Sequence, residues 1–204
     1  MNSVDILKAE KYLTNKCPIM KDIINNRSVK LNNQVDHYSS LVKAIVGQQL
    51  SVKAARSIYM RVEAHFGKPL SAINMYNASQ EEFRSLGISQ QKFKYLHDLS
   101  DNYLNNEEVF RGLEDLEDKI VIEKLTHIKG IGLWTSQMFL IFTLYREDIF
   151  PINDLGIQNA MKLHFSLNNY NNKNLLIQIS KIAERWKPYR SIAALHLWRS
   201  LDNE

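Results

Sequence analysis

Apolar residues recur at three- and four-residue spacing along almost the whole chain, as in Leu41, Ile45 and Val46, then Ile58 and Val62, then Phe139, Phe142 and Leu144. That is the period of helices with one buried face, and no run of residues shows the strict alternation of a half-buried strand. Start and stop signals agree with it. Ser51 stands before VKAARSIYMRVEAHF and Gly67 after it, and Ser79 with Glu82 has capping-box spacing ahead of a short helix closed by Gly87. Further helices are expected at 4–15, 37–49, 90–104, 119–126, 133–144, 155–165, 174–186 and 188–200. The expected fold class is all-α. The stretch NNYNNKN at 168–174 is the most loop-like segment, and at seven residues it is a connection, not a domain linker.

Composition narrows the possible chemistry. With 204 residues, 45% of them hydrophobic and 24% charged, the chain can bury a real core, which excludes disorder throughout. No apolar run approaches the roughly 20 residues that cross a bilayer, and Asp5 and Glu10 interrupt the place where a signal peptide would be apolar. An intracellular, cytoplasmic protein with no membrane partner is expected. A single cysteine, Cys17, excludes an internal disulfide, a four-cysteine zinc site and a cysteine-ligated iron–sulfur cluster. The histidines at 37, 65, 97, 127, 164 and 196 show no HxxxH or HxH spacing, and neither GxSxG nor a Walker loop is present.

The formal net charge of +4 permits nucleic-acid binding, and its distribution says more than its sum. Lys43, Lys53, Arg56, Arg61 and Lys68 face Glu63 alone between residues 41 and 70, whereas 107–123 is crowded with Glu107, Glu108, Glu114, Asp115, Glu117 and Asp118. Lys173, Lys181, Arg185, Lys187, Arg190 and Arg199 make the C-terminal part basic again. The two basic segments are candidates for one positive surface; solvated helix faces without a ligand account for the same charges.

The most informative stretch is LTHIKGIGLWTSQMFLIF, 125–142, in which two expected helices are joined by Lys129, Gly130, Ile131 and Gly132. Paired glycines allow a tight turn with positive φ and close approach of a foreign backbone. The amides that follow lie at a helix N-terminus, where partial positive charge favours a phosphate. A glycine-containing helix junction is also a common structural device. Asp154, 22 residues after Gly132, stands at the mouth of the next expected helix, where an N-cap is its simplest role.

Three blocks in order, LVKAIVGQQLSVKAA at 41–55, HIKGIGLWTSQMF with DIFPINDLGIQ within 127–158, and ERWKPYRSIAALHLW at 184–198, resemble the helix-hairpin-helix DNA glycosylases. Within them the chain is similar to the DNA-3-methyladenine glycosylase II (AlkA-like) group. The resemblance implies two all-helical subdomains with a cleft between them: one at about 35–115, the other at about 116–204 with 1–34, the hairpin lying at 119–144. Residues 1–38 read as helix, so the N-terminal β-domain of some members is expected to be missing.

The resemblance makes Asp154 the catalytic aspartate. Positive charge develops on the deoxyribose as a base departs, and a carboxylate beside it stabilises that charge or orients a water. The neighbouring Asn153 adds no charge. Bifunctional relatives carry a Schiff-base lysine two residues after the second hairpin glycine, where this chain has Trp134. A monofunctional hydrolase that leaves an abasic site is therefore expected. The lack of a cysteine cluster separates the chain from the endonuclease III and adenine-mismatch branches.

Alkylated purines such as 3-methyladenine and 7-methylguanine are cationic and suited to aromatic faces. Trp134 and Trp198 match base-pocket positions, and Met138 stands where the family has another aromatic; Trp186 is assigned to the core. Gln49 matches the wedge that fills the gap left by a flipped base, with Leu50 beside it, while Ser51 can cap the next helix at the same time. The implied DNA contacts are Lys129, Gly130, Ile131, Gly132, Gln48, Gln49, Leu50, Ser51 and Lys53. The carbonyls of Thr126, Ile128 and Ile131 are expected to hold a monovalent cation, Na+ or K+, with no other cofactor required. The expected protein is a monomer acting on alkylated purines in double-stranded DNA. Two alternatives stay open: a non-catalytic DNA-binding module in which Asp154 is only a cap, and a glycosylase for hypoxanthine, ethenoadenine or a mismatched pyrimidine.

Overall fold

A computed structural model describes residues 3–25, 29 and 36–201. Among them the regular elements are helices alone: α1 (Ser3–Lys16), α2 (Pro18–Ile24), α3 (His37–Gly47), α4 (Val52–Phe66), α5 (Ala72–Asn77), α6 (Gln80–Ser85), α7 (Gln90–Asn105), α8 (Asp118–Thr126), α9 (Leu133–Phe142), α10 (Leu155–Phe165), α11 (Asn172–Ala183) and α12 (Arg190–Arg199), with 3-10 turns at Glu107–Val109 and Glu184–Trp186. No helix of the described residues is long and apolar enough to cross a membrane.

Local chemistry sets most of the starts. The side chains of Asp36, Ser51, Ser71, Ser79, Ser89, Asp154 and Asn171 each accept a first-turn amide, a contact worth about 1 kcal/mol. The capping box is present in full: Ser79 N–H donates to Glu82 Oε2 at 2.7 Å, and this bond holds the Glu82 carboxyl below its ordinary pKa. Two short helices were not expected. Pro18 opens α2, and α5 has only six residues, too few for a period to register. The expected helix at 37–49 stops at Gly47, because Gln48 is extended and Gln49 is left-handed with φ 59°. The segment expected as helix 174–186 is α11 followed by a 3-10 turn.

The chain divides into two compact units, 33–144 and 1–32 with 145–204. The expected boundary near 115 is thus displaced to 144, and the hairpin belongs with the residues that precede it. The reason is packing: α9 lies against α3 as well as α8, and His37 meets Phe139 edge to face with ring centroids 5.4 Å apart. Leu41, Val42 and Ile45 of α3, Val62, Leu96, Leu99 and Leu125 form the core of this unit. The one buried tyrosine hydroxyl of α3, Tyr38, is satisfied by Ser100 Oγ at 2.6 Å.

In the other unit, α12 is buried continuously from Ser191 to Leu197; the Ser191 hydroxyl and His196 Nε2 find partners there, while His196 Nδ1 is buried without one among the described residues. Ser191 Oγ donates to the Ile149 carbonyl and accepts the Ile149 amide. His196 Nε2 pairs with Glu10 Oε1 of α1 at 3.0 Å, and burial pushes the imidazole pKa down, with Glu10 opposing. Trp186 is fully buried between Phe150 and Phe165, as expected of a core residue. The helix that carries Trp198 is therefore held from several sides.

Candidate active site and nucleic-acid interface

The two hairpin glycines do different work. Gly130 has φ +84°, and a Cβ there would lie 2.3 Å from Cγ of Tyr95 on α7, so both conformation and space demand glycine. Gly132 is extended, with φ −101° and ψ −178°, so of the paired glycines only Gly130 uses the positive φ that the pair allows. A Cβ on Gly132 would meet nothing within 4 Å. The space it leaves opens outward, at the N-cap of α9, where Gly132 brings no side chain of its own to the first-turn amides. Such amides and the helix dipole suit an anion approaching closely.

Neighbouring segments of the same unit brace the turn. Gln48 Nε2 donates to the Gly130 carbonyl at 2.8 Å. Asp98 accepts the Lys129 amide at 2.9 Å and pairs with its ammonium at 2.9 Å, although the lysine side chain remains mostly exposed. Gln48 thus turns onto the hairpin, while Gln49 and Leu50 stand exposed on the loop between α3 and α4. A left-handed glutamine costs about 1–2 kcal/mol, strain that the surrounding contacts must hold in place. Lys92 Nζ fastens the base of this loop through the Val46 carbonyl at 2.7 Å, and desolvation lowers its pKa. Ser51 caps α4 and Lys53 is exposed in its first turn.

On α9, Trp134 is 44% exposed and Met138, one turn later, is half-buried. They share a helix face, as the four-residue spacing requires.

In the unit formed by the chain ends, the approach to α10 is fixed by Asp154 N–H donating to the Pro151 carbonyl at 2.9 Å and Gln158 Nε2 to Ile152 at 3.1 Å. Asp154 is the N-cap: Oδ1 accepts the Ile157 amide at 2.9 Å. The same oxygen accepts the Trp198 indole N–H at 2.8 Å. A half-buried carboxylate is thereby oriented by two donors at a helix N-terminus, where negative charge is favoured. The C-terminal basic residues are partly neutralised. Arg190 makes a two-pronged pair with Asp148 at 2.7 and 2.9 Å, and Lys187 pairs with Glu184 at 2.8 Å. These pairs reduce the positive charge that the C-terminal segment brings to any surface.

Residues 42–188 match the HhH-GPD superfamily of base excision DNA repair proteins. The chain belongs to that superfamily. It is 31% identical over 206 residues to DNA-3-methyladenine glycosylase 1 of Schizosaccharomyces pombe, covering 96% of this chain and 87% of that protein. Bacillus subtilis YfjP is 33% identical over 172 residues, which are 81% of this chain and 59% of YfjP. The solved S. pombe 3-methyladenine DNA glycosylase Mag1, in complex with abasic DNA, aligns with TM-score 0.83 and 28% identity over 94% of this chain and 95% of that one. As an HhH-GPD protein the chain carries its hairpin and Asp154 inside the matched region, while Trp198 lies beyond it.

Three residues of the arrangement were not singled out from the sequence. Tyr95 and Asp98 brace the hairpin from α7, and Gly156 lies beside Asp154 and Trp198. Tyr95 and Asp98 are more than 30 residues from the turn they support, and nothing local marks them. Gly156 did carry a signal: glycine inside the first turn of a helix is unfavourable by about 1 kcal/mol relative to alanine.

Proposed function

We propose that this HhH-GPD protein is a monofunctional DNA glycosylase that hydrolyses the N-glycosidic bond of alkylated purines, such as 3-methyladenine and 7-methylguanine, in double-stranded DNA. The observation that carries the reading is the carboxylate of Asp154, half-buried and oriented through Oδ1 by the Ile157 amide and the Trp198 indole. In this reading Asp154 stabilises the positive charge that develops on the sugar, and water completes the hydrolysis. A cationic base needs little protonation to leave, so one carboxylate suffices. Trp134 offers its exposed ring to a cationic base, with Met138 beside it on the same helix face; in the other unit Trp198, the second aromatic group assigned to the base, fixes Asp154. Names of relatives support the substrate class: the S. pombe and Saccharomyces cerevisiae proteins are DNA-3-methyladenine glycosylases.

Duplex contact is assigned to the α9 N-terminus at Gly130, Ile131 and Gly132, with Lys129, and to the loop Gln49, Leu50 and Ser51 with Lys53. Gln49 enters the gap left by the flipped base, and its strained, exposed position supports that role. Gln48 acts indirectly, by tying the wedge loop to the hairpin. The carbonyls of Thr126, Ile128 and Ile131 fit a monovalent cation in chemistry. All three are neutral oxygens; Ile128 spends one lone pair on the Ile131 amide, and the Thr126 hydroxyl turns back onto Ile122. Such an ion would supply positive charge for a phosphate. The protein is proposed to act as a monomer, in the compartment that holds the chromosome.

Incubation with methylated duplex DNA tests the reading. Free 3-methyladenine and 7-methylguanine are expected, with abasic sites left uncleaved and no borohydride-trapped protein–DNA adduct, because Trp134 supplies no amine. Duplex binding without base release would support the non-catalytic alternative. Release of hypoxanthine or ethenoadenine in preference to methylated bases would move the substrate class.

A further inference from the structure

Gly156 is the second residue of α10, and its φ is not in the left-handed region, so the backbone itself would accept any residue. What excludes a side chain is space. A Cβ built there would stand 3.0 Å from Asp154 Oδ1, 3.0 Å from Trp198 Cδ1 and 3.3 Å from Trp198 Nε1. These are the two ends of the 2.8 Å hydrogen bond and the ring atom next to its donor. A side chain there requires one end to give by a few tenths of an ångström, and contacts restrain both. Asp154 is anchored by the Ile157 amide, and Trp198 extends from α12, which is buried along the turns that precede it.

We propose that Gly156 is a positioning residue for excision: its missing side chain is the space through which the Trp198 indole reaches the Asp154 carboxylate. Any larger residue wedges the indole from Oδ1, and the carboxylate loses one of the two donors that fix its rotamer. The chain accepts a poor helix former in the first turn of α10 to keep that contact. This inference rests on the assignment of Asp154 as the charge-stabilising group, and it adds a residue that touches neither base nor sugar in order to act.

The test compares Gly156→Ala, Trp198→Phe and the double variant in single-turnover release of 7-methylguanine, with duplex affinity measured separately. Gly156→Ala is expected to slow release about tenfold or more, since small misplacements of a reacting group have effects of that order, with duplex affinity within about twofold. The indole N–H resonance that disappears in Trp198→Phe should shift in Gly156→Ala, reporting the broken bond. The double variant should release base no more slowly than Trp198→Phe alone, because the residue through which Gly156 acts is already gone. A folded Gly156→Ala with the normal rate and an unshifted resonance overturns the proposal, as does a double variant whose losses add. If Gly156→Ala fails to fold, rescue of folding by Trp198→Phe, whose ring is smaller, supports the steric argument; failure of both overturns it. Normal release by Asp154→Asn would instead refute the catalytic assignment, a result distinct from any of these.

Discussion

Replacing Asp154 by asparagine separates capping from catalysis, because asparagine keeps Oδ1 as an acceptor and removes only the charge. Both observed donors, the Ile157 amide at 2.9 Å and the Trp198 indole at 2.8 Å, retain their partner. Asparagine caps about as well as aspartate. What folding loses is the charge assistance of these bonds and the dipole interaction, about 1–2 kcal/mol together. For a chain of this size that is a fall in Tm of roughly 2–8 °C, leaving a folded protein at 25 °C. Excision should lose far more. A preorganised group facing transition-state charge is worth about 2.7–4 kcal/mol, so release of 7-methylguanine should slow by about 10²–10³-fold. The assay is single-turnover release with enzyme in excess, read as free base, alongside thermal unfolding and duplex affinity. Removing a negative charge should not weaken binding to phosphate. A folded Asp154→Asn protein that releases base at the normal rate would show that the aspartate is a cap and nothing more.

Gly130→Ala and Gly132→Ala should diverge: the first places a Cβ 2.3 Å from the Tyr95 ring and should cost several kcal/mol by urea unfolding, on the order of overpacking plus left-handed strain. The second meets nothing within the protein, so stability should hold while duplex affinity falls; equal stability losses would refute the reading of Gly132 as room for a foreign backbone. Gln49→Ala should weaken binding to damaged duplex more than to single strands, where no gap needs filling, and equal losses would indicate a packing role. Burial lowers the folded-state pKa of His196, so stability is fully present above the unfolded value of about 6.5 and falls as the pH drops below it, by at most about 1.4 kcal/mol per pH unit. Urea midpoints at pH 7.5 and 5.5 should therefore differ less in His196→Gln than in the parent chain, and an unchanged difference would remove His196 as the cause.

The all-helical class was legible because apolar period and capping residues agree, as at Ser51 and at Ser79 with Glu82. The short helices α2 and α5 were not, since seven and six residues hold too little period to stand out. The unit boundary was hidden for a different reason. It depends on α9 packing against α3, a contact between segments about 90 residues apart that no local pattern encodes. The hairpin shows the same limit within four residues. Gly130 and Gly132 read alike in GIG, and only Tyr95 from α7 makes one of them sterically obligatory.

Asp154 illustrates why a capping role and a chemical one need not compete. A cap alone needs an acceptor for one amide, and serine, threonine or asparagine would supply it. The structure adds two features that a cap does not explain. A tryptophan 44 residues away donates its indole to the same oxygen, and the helix carries glycine at its second position, where alanine would favour helix by about 1 kcal/mol. Local propensity is set aside at the one place where space is needed for an indole to meet a carboxylate. Departures of this kind concentrate at functional sites because folding alone does not reward them. Capping fixes the backbone from which Asp154 projects, the indole fixes its rotamer, and together they hold one negative charge in a set orientation before any substrate arrives.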